Sequence, residues 1–273
     1  MDYQIRLALL LAQTPLHGLF RRAHRKLSRY MDLAENWNNG DERSNGEALL
    51  TRLIGPHLHS VFDIGANLGN WTALLLEANP ECVTYAFEPS PQTYLSLKSR
   101  YKSWPNVRVF QTGLGDQKGT LQFHDYGDNS GLSSFLSREG SVGLKAERVI
   151  EVPITTLDAF CAEHSLSHID FVKVDTEGYE MAVLRGMSSS LGQRRISMIQ
   201  FEYGGTWLDA FENLANANQL LQRHGYCLFR LRQTGLEKVN YDSRRHECFK
   251  YSNFVAVASP EIITRWRIPT VKS

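Results

Sequence analysis

Asp63 stands two residues ahead of a loop of small residues, Gly65-Ala66-Asn67-Leu68-Gly69, and Glu88-Pro89 closes the apolar segment that follows. Such a loop lets the backbone come close to a ligand. A carboxylate at Glu88 can accept two hydrogen bonds from a ribose diol, and Asp63 can position a group of positive character such as an α-amino group. A second cluster is Asp175-Thr176-Glu177-Gly178-Tyr179-Glu180, where three carboxylates fall within six residues. Like charges this close repel, so they require a bound group, a metal, or hydrogen bonds to the backbone and Lys173. Asp175 is the first candidate for contact with a reacting centre and Glu177 the second; Glu180 is read as a cap of the following helix. Glu202 is read either as an acceptor contact or as a strand-end carboxylate paired with an arginine. Tyr203 and Trp207 could stack on a sugar ring, with a place in the core as the competing reading.

The glycine spacing narrows the ligand. A dinucleotide site shows G-x-G-x-x-G, because a pyrophosphate must sit against a helix N-terminus. The spacing here is G-x-x-x-G, which suits a nucleoside without phosphates. S-adenosylmethionine has an α-amino group, a ribose diol and no phosphate. The alternatives are a nicotinamide-dependent dehydrogenase and a non-catalytic nucleoside-binding module. Gly113-Leu114-Gly115-Asp116 could border an adenine ring through Asp116, or be a plain turn. Asp175 and Glu202 could share Mg²⁺, but no third ligand is evident, so no metal is predicted.

These residues must be positioned by strands and helices. Val61 to Ile64 reads as a short strand, Trp71 to Ala78 as a helix, and Cys82 to Phe87 as a second strand that Glu88-Pro89 stops. Val107 to Gln111, Phe171 to Val174 and Ser197 to Glu202 read as further strands. Gly46 to Ile54, Thr156 to Glu163, Met181 to Arg185 and Leu208 to His224 read as helices. Thr120 to His124 and Val149 to Val152 read as a hairpin-like insertion around the polar stretch Asp125 to Gly143. Cys227 to Leu231 and Asn253 to Ala258 read as a final antiparallel pair. The alternation argues for an α/β fold with a mostly parallel sheet, in which ligands bind at the carboxyl ends of the strands.

Residues 1–40 differ from the rest. Ile5, Leu9, Ala12, Leu16, Leu19 and Phe20 approximate a helical stripe, broken or kinked near Pro15, and Arg21, Arg22, Arg25, Lys26 and Arg29 follow. The favoured reading is a helical cap with a solvated basic face; the other is contact with an anionic membrane or partner through residues 1–30. Residues 41–273 are read as the domain that holds the site. The net charge of +1 gives no general case for nucleic-acid binding. Four scattered cysteines without a C-x-x-C pair argue against zinc and for a reduced, cytoplasmic setting. No apolar run reaches the roughly 20 residues of a membrane span, and the start lacks the pattern of a secretory signal.

The chain resembles the FkbM-type family of S-adenosylmethionine-dependent methyltransferases. The resemblance rests on Asn45-Gly46-Glu47, FDIGANLGNWT (62–72), AFEPSP (86–91), GLGD (113–116), SSF (133–135), KVDTEGYEMAVLRG (173–186) and YSNFVAV (251–257). It implies a class I methyltransferase fold with seven strands, helices on both faces and an antiparallel edge hairpin, together with methylation of hydroxyls on sugars, glycans or polyketide-type small molecules. By position it implies that Gly65, Asn67 and Gly69 form the methionine-side loop, with Asp63 and Pro89 beside it. Glu88 would hold the ribose and Asp116 border the adenine. Asp175 would lie between cofactor and acceptor, and Asn45 and Glu47 would close the pocket. Homo-oligomer formation stays open.

Overall fold

The computed structural model describes residues 3–14, 16–128 and 130–271. The strands are β1 (Ser60–Ile64), β2 (Val83–Phe87), β3 (Val107–Phe110), β4 (Gly113–Leu114), β5 (Gly119–Asp125), β6 (Arg148–Thr155), β7 (Ile169–Val174), β8 (Ile196–Tyr203), β9 (Cys227–Arg232), β10 (Gly235–Lys238), β11 (Ser252–Val257) and β12 (Thr270–Val271). One sheet runs in the order β12-β10-β9-β11-β8-β7-β1-β2-β3. β3, β2, β1, β7 and β8 are parallel neighbours, while β11 is antiparallel to both β8 and β9. This is the class I methyltransferase sheet, a mostly parallel α/β architecture, extended at one edge by β10 and β12. The insertion forms a separate small sheet, β4-β6-β5, in which Phe123 faces Ile150 in antiparallel register.

Alternation along β1 covers both faces of the sheet. Phe62 pairs in register with Tyr85 and meets Phe160, in the helix Leu157–Glu163, edge-on at 5.7 Å. Val61 points the other way, level with Phe171, on which Trp71 of the helix Asn70–Ala78 stacks at 5.4 Å. Helices therefore cover both faces. Phe62, Phe87, Phe171 and Phe201 are sealed from solvent, and a fully buried side chain of this size contributes about 1.5–3 kcal/mol.

Two expectations change. The helix expected from Leu208 begins at Leu214, after a 3₁₀ turn at Gly205–Leu208. Phe211 is left-handed at φ 55°, which breaks the segment. Asn213 then caps the new start by accepting from the Asn216 N–H at 2.9 Å, and Glu247 takes the Leu214 and Ala215 N–H groups at 3.2 and 2.8 Å. The final antiparallel pair is no simple hairpin: β9 turns into β10, and β11 returns between β8 and β9. β10, β12 and the helix Pro260–Arg265 were not anticipated at all.

The N-terminal segment is two helices, α1 (Tyr3–Ala12) and α2 (His17–Ala34). Pro15 and the side chains of Ile5 and Leu9 lie outside the described residues. α2 contains no buried residue, so it does not pack as a cap along its length. Among the described residues, no helix is long and apolar enough to cross a membrane.

Candidate functional site

The loop after β1 uses its small residues for geometry. Gly65, Asn67 and Gly69 take φ values of 80°, 48° and 77°, the left-handed region in which glycine and asparagine are cheapest. Gly65 and Ala66 donate their N–H groups to the Phe87 carbonyl at 3.0 and 2.9 Å, and Asp175 N–H donates to the Ile64 carbonyl at 2.9 Å. A Cβ on Gly65 would overlap the Asp175 carbonyl oxygen. The ends of β1, β2 and β7 are thereby held together, with Gly65 between Glu88 and Asp175.

Glu88 is buried, and its two oxygens each accept one backbone N–H, from Asn67 and Ser90, both at 2.9 Å. Burial pushes its carboxyl up to about 7 against those two bonds. Asp63 is also buried; Thr72 Oγ1 donates to its Oδ2 at 2.6 Å, while Oδ1 has no partner. Burial raises Asp63 to about 6, opposed by Lys173 and Thr72. The Asn67 side-chain oxygen is likewise buried and unpartnered.

Glu88 and Pro89 line a cleft together with Thr112, Leu114 and Phe135. Asp63, Trp71 and Lys173 line a second hollow, and Gly65, Asn67 and Asp175 border both. The two form one crevice at the carboxyl ends of the parallel strands, with the expected ribose contact in one half and the expected amino-group contact in the other. A nucleoside carrying a cationic amino acid fits these residues: Asp63 Oδ1 and Asn67 Oδ1 are buried polar atoms without a hydrogen-bond partner. Gly69 supports the loop from behind, since a Cβ there would strike Tyr101 and Leu97.

The acidic cluster is compensated from within the chain. Lys173 Nζ bonds Asp175 Oδ2 at 2.5 Å, and Arg138 Nη2 bonds Glu177 Oε2 at 2.6 Å. Burial works against the charge on Lys173, yet Asp175, Glu47, Asp63 and Glu202 outweigh it and hold the ammonium well above its ordinary value. Burial, then Asp175, raises Glu177. The same two causes drive Glu202 well above the usual carboxylate range, and Tyr251 donates its hydroxyl to Glu202 Oε1 at 2.6 Å. Sequence reasoning found no third ligand beside Asp175 and Glu202; the structure brings a Glu177 oxygen within 4.8 Å of both. Glu180 turns back to accept the Thr176 and Gly178 N–H groups, fixing the turn that presents Asp175 and Glu177.

Two expected contacts fall elsewhere. Asp116 is exposed and does not line the crevice, which is bordered there by Thr112, Gly113 and Leu114. Tyr203 is sealed in the core, its hydroxyl donating to Glu247 Oε2 at 3.0 Å and accepting from the Phe249 N–H at 3.1 Å. With Trp207 packed edge-on against it at 5.3 Å, neither ring can stack on an acceptor. Conversely, Thr72, Arg138 and Tyr251 were not singled out. Arg138 sits in the polar insertion, beyond its matched SSF segment; Tyr251 lay inside a matched segment without a role.

Residues 63–228, more than half of the chain, match the family described as the methyltransferase FkbM domain. The chain belongs to the FkbM methyltransferase family. It is similar to the 2-O-methyltransferase NoeI of Sinorhizobium fredii, with 26% identity over 52% of this chain and 62% of that one. It is also similar to the hexuronic acid methyltransferase AglP of Haloferax volcanii, with 25% identity over 67% and 73% of the two chains. The 31-O-demethyl-FK506 methyltransferase FkbM of Streptomyces tacrolimicus shares 27% identity over 62% and 72%. The match to NoeI spans about six tenths of that relative's length. Nothing in these relatives supports the nicotinamide-dependent or non-catalytic alternative.

Proposed function

We propose that this FkbM family member transfers a methyl group from S-adenosylmethionine to a hydroxyl of a sugar, glycan or polyketide-type small molecule. The observation that carries the reading is the pair of buried carboxylates, Asp63 and Glu88, in the two halves of one crevice, with Asp175 between them at Gly65. Glu88 would accept the ribose hydroxyls on its remaining lone pairs, and Asp63 Oδ1 would take the amino group. The cofactor supplies an electrophilic methyl on a sulfonium; the protein supplies alignment. The family's named relatives, a 2-O-methyltransferase and a 31-O-demethyl-FK506 methyltransferase among them, favour an oxygen acceptor.

An alcohol is a poor nucleophile until its proton leaves, so a base beside the acceptor oxygen helps as the bond forms. Asp175 would take that proton, with Lys173 Nζ bonded to its Oδ2. Glu177, clamped by Arg138, and Glu202, bonded by Tyr251, frame the acceptor side. Calorimetric titration with S-adenosylhomocysteine, with NADH in parallel, tests the cofactor half: micromolar binding of the first and none of the second is expected. Binding of NADH alone overturns the reading. Asp175→Asn should keep the fold and S-adenosylhomocysteine affinity while methyl transfer falls by about 10²-fold or more; turnover near wild type would remove Asp175 from the mechanism.

A further inference from the structure

Leu19, Phe20, Leu27, Tyr30 and Met31 of α2 fall on one face of the helix at 100° per residue, and Arg21, Arg22, Arg25, Lys26 and Arg29 fall on the other. In a folded domain an apolar stripe of this kind faces the core. Here it faces solvent: Leu19, Leu27 and Tyr30 expose 63%, 61% and 61% of their surface. The five cations are exposed too, and among the described residues none of them has an ion-pair partner.

What ties α2 down lies at its C-terminal end. Lys250 Nζ bonds Asp32 Oδ1 at 2.6 Å, and Gln233 Nε2 bonds the Leu33 carbonyl at 3.3 Å. Just beyond the helix, Asn38 and Tyr251 exchange two hydrogen bonds, at 2.8 and 3.0 Å. Tyr251 is the residue whose hydroxyl reaches Glu202. The root of α2 is therefore beside the acceptor end of the crevice.

We propose that α2 lies on an anionic lipid bilayer, its apolar face in the acyl boundary and its cations among the headgroups. Charge selects this occupant. Five cations against the single carboxylate Asp32 leave α2 at +4, whereas the whole chain carries +1. A second copy of α2 placed against the apolar face would bring cationic flanks together. A nucleic acid would meet the cations and leave the apolar face in water. An anionic membrane surface covers one and neutralises the other, and it would hold the mouth of the crevice near the bilayer. The proposal stands apart from the methyl-transfer reading.

The test is flotation of the full chain with vesicles of phosphatidylcholine alone and with about one third phosphatidylglycerol. Recovery with the anionic vesicles, little with the neutral ones, and a fall as salt is raised to about 0.5 M are expected. The pair Arg22→Glu and Arg25→Glu, and separately the pair Phe20→Asp and Leu27→Asp, should each lower binding at least about tenfold. All four side chains are exposed, so the thermal midpoint should not move, which separates lost binding from lost fold. Equal recovery with both vesicle types, no flotation at low salt, or variants that bind like wild type would overturn the proposal. A dimer that Phe20→Asp and Leu27→Asp dissolve, without flotation, would assign the face to a second copy. Binding to RNA or DNA without flotation would assign it to nucleic acid.

Discussion

At the scale of single residues, the site is a set of carboxylates that differ in what already satisfies them. Glu180 is committed to its own turn, Glu177 to Arg138 and Asp175 to Lys173. Asp63 and Glu88 keep acceptor capacity that the chain does not use. This difference yields a test of the ribose assignment. Glu88→Gln keeps the shape but replaces one acceptor oxygen by a donor, so it loses one backbone N–H bond and one hydroxyl bond. Hydrogen bonds to a charged group are worth about 1.5–3 kcal/mol, so S-adenosylhomocysteine affinity should fall roughly tenfold to a hundredfold by calorimetry. An S-adenosylhomocysteine analogue lacking the ribose 2′-hydroxyl should bind wild type more weakly, with little further loss in the variant. Additive losses would mean that Glu88 and the hydroxyl do not meet.

At the scale of elements, the glycine loop is where a local signal and a long-range contact coincide. Gly65 needs its left-handed conformation and also needs no side chain, because β7 passes against it. Gly65→Ala should destabilise by about 2–4 kcal/mol and weaken S-adenosylhomocysteine binding. Gly143→Ala is the matched comparison: it has φ 69° but open space around it, so it should cost only about 1 kcal/mol. Equal midpoint shifts in thermal melts would show that strain alone, not the β7 contact, accounts for Gly65. The same distinction governs what the sequence reveals. Strands β1, β2, β7 and β8 were legible because apolar runs ending in Gly or charged residues are local signals. The loop was legible because only certain residues tolerate positive φ. The start of the helix at Leu214 was half legible: Asn213 is a local cap, but Glu247 takes the next two N–H groups from a distant segment. Lys173 was legible as a partner of the acidic cluster, but Arg138 and Tyr251 were not, because they arrive through the insertion and from just ahead of β11. Tyr203 misled because an aromatic at a strand end reads alike whether it faces a ligand or the core.

At the scale of the whole molecule, these buried acids couple folding to pH. Burial raises Asp63 to about 6 and both Glu88 and Glu180 to about 7. It also raises Glu177 and Glu202, each with a further contribution from Asp175. In the unfolded chain such groups titrate near 3.9 for Asp and near 4.3 for Glu, to within about a unit. Between roughly pH 4 and pH 7 the folded protein therefore holds more protons than the unfolded one, and stability falls as pH rises through that window. A single Glu shifted to about 7 is worth on the order of 3 kcal/mol of this loss, and each kcal/mol moves the midpoint of a chain this size by about 2–4 °C. Without ligand, the protein should melt several degrees higher at pH 5.5 than at pH 8. S-adenosylhomocysteine should reverse part of the trend, since ribose hydroxyls on Glu88 and an ammonium on Asp63 both favour the ionised carboxylates. Its binding at pH 6.5 should therefore release protons, seen as a dependence of the calorimetric heat on the buffer's ionisation enthalpy. A ligand-free midpoint that climbs from pH 5.5 to pH 8 would mean that the acids are ionised throughout. The crevice would then owe its acceptor capacity to fixed charge rather than to protons that the ligand displaces.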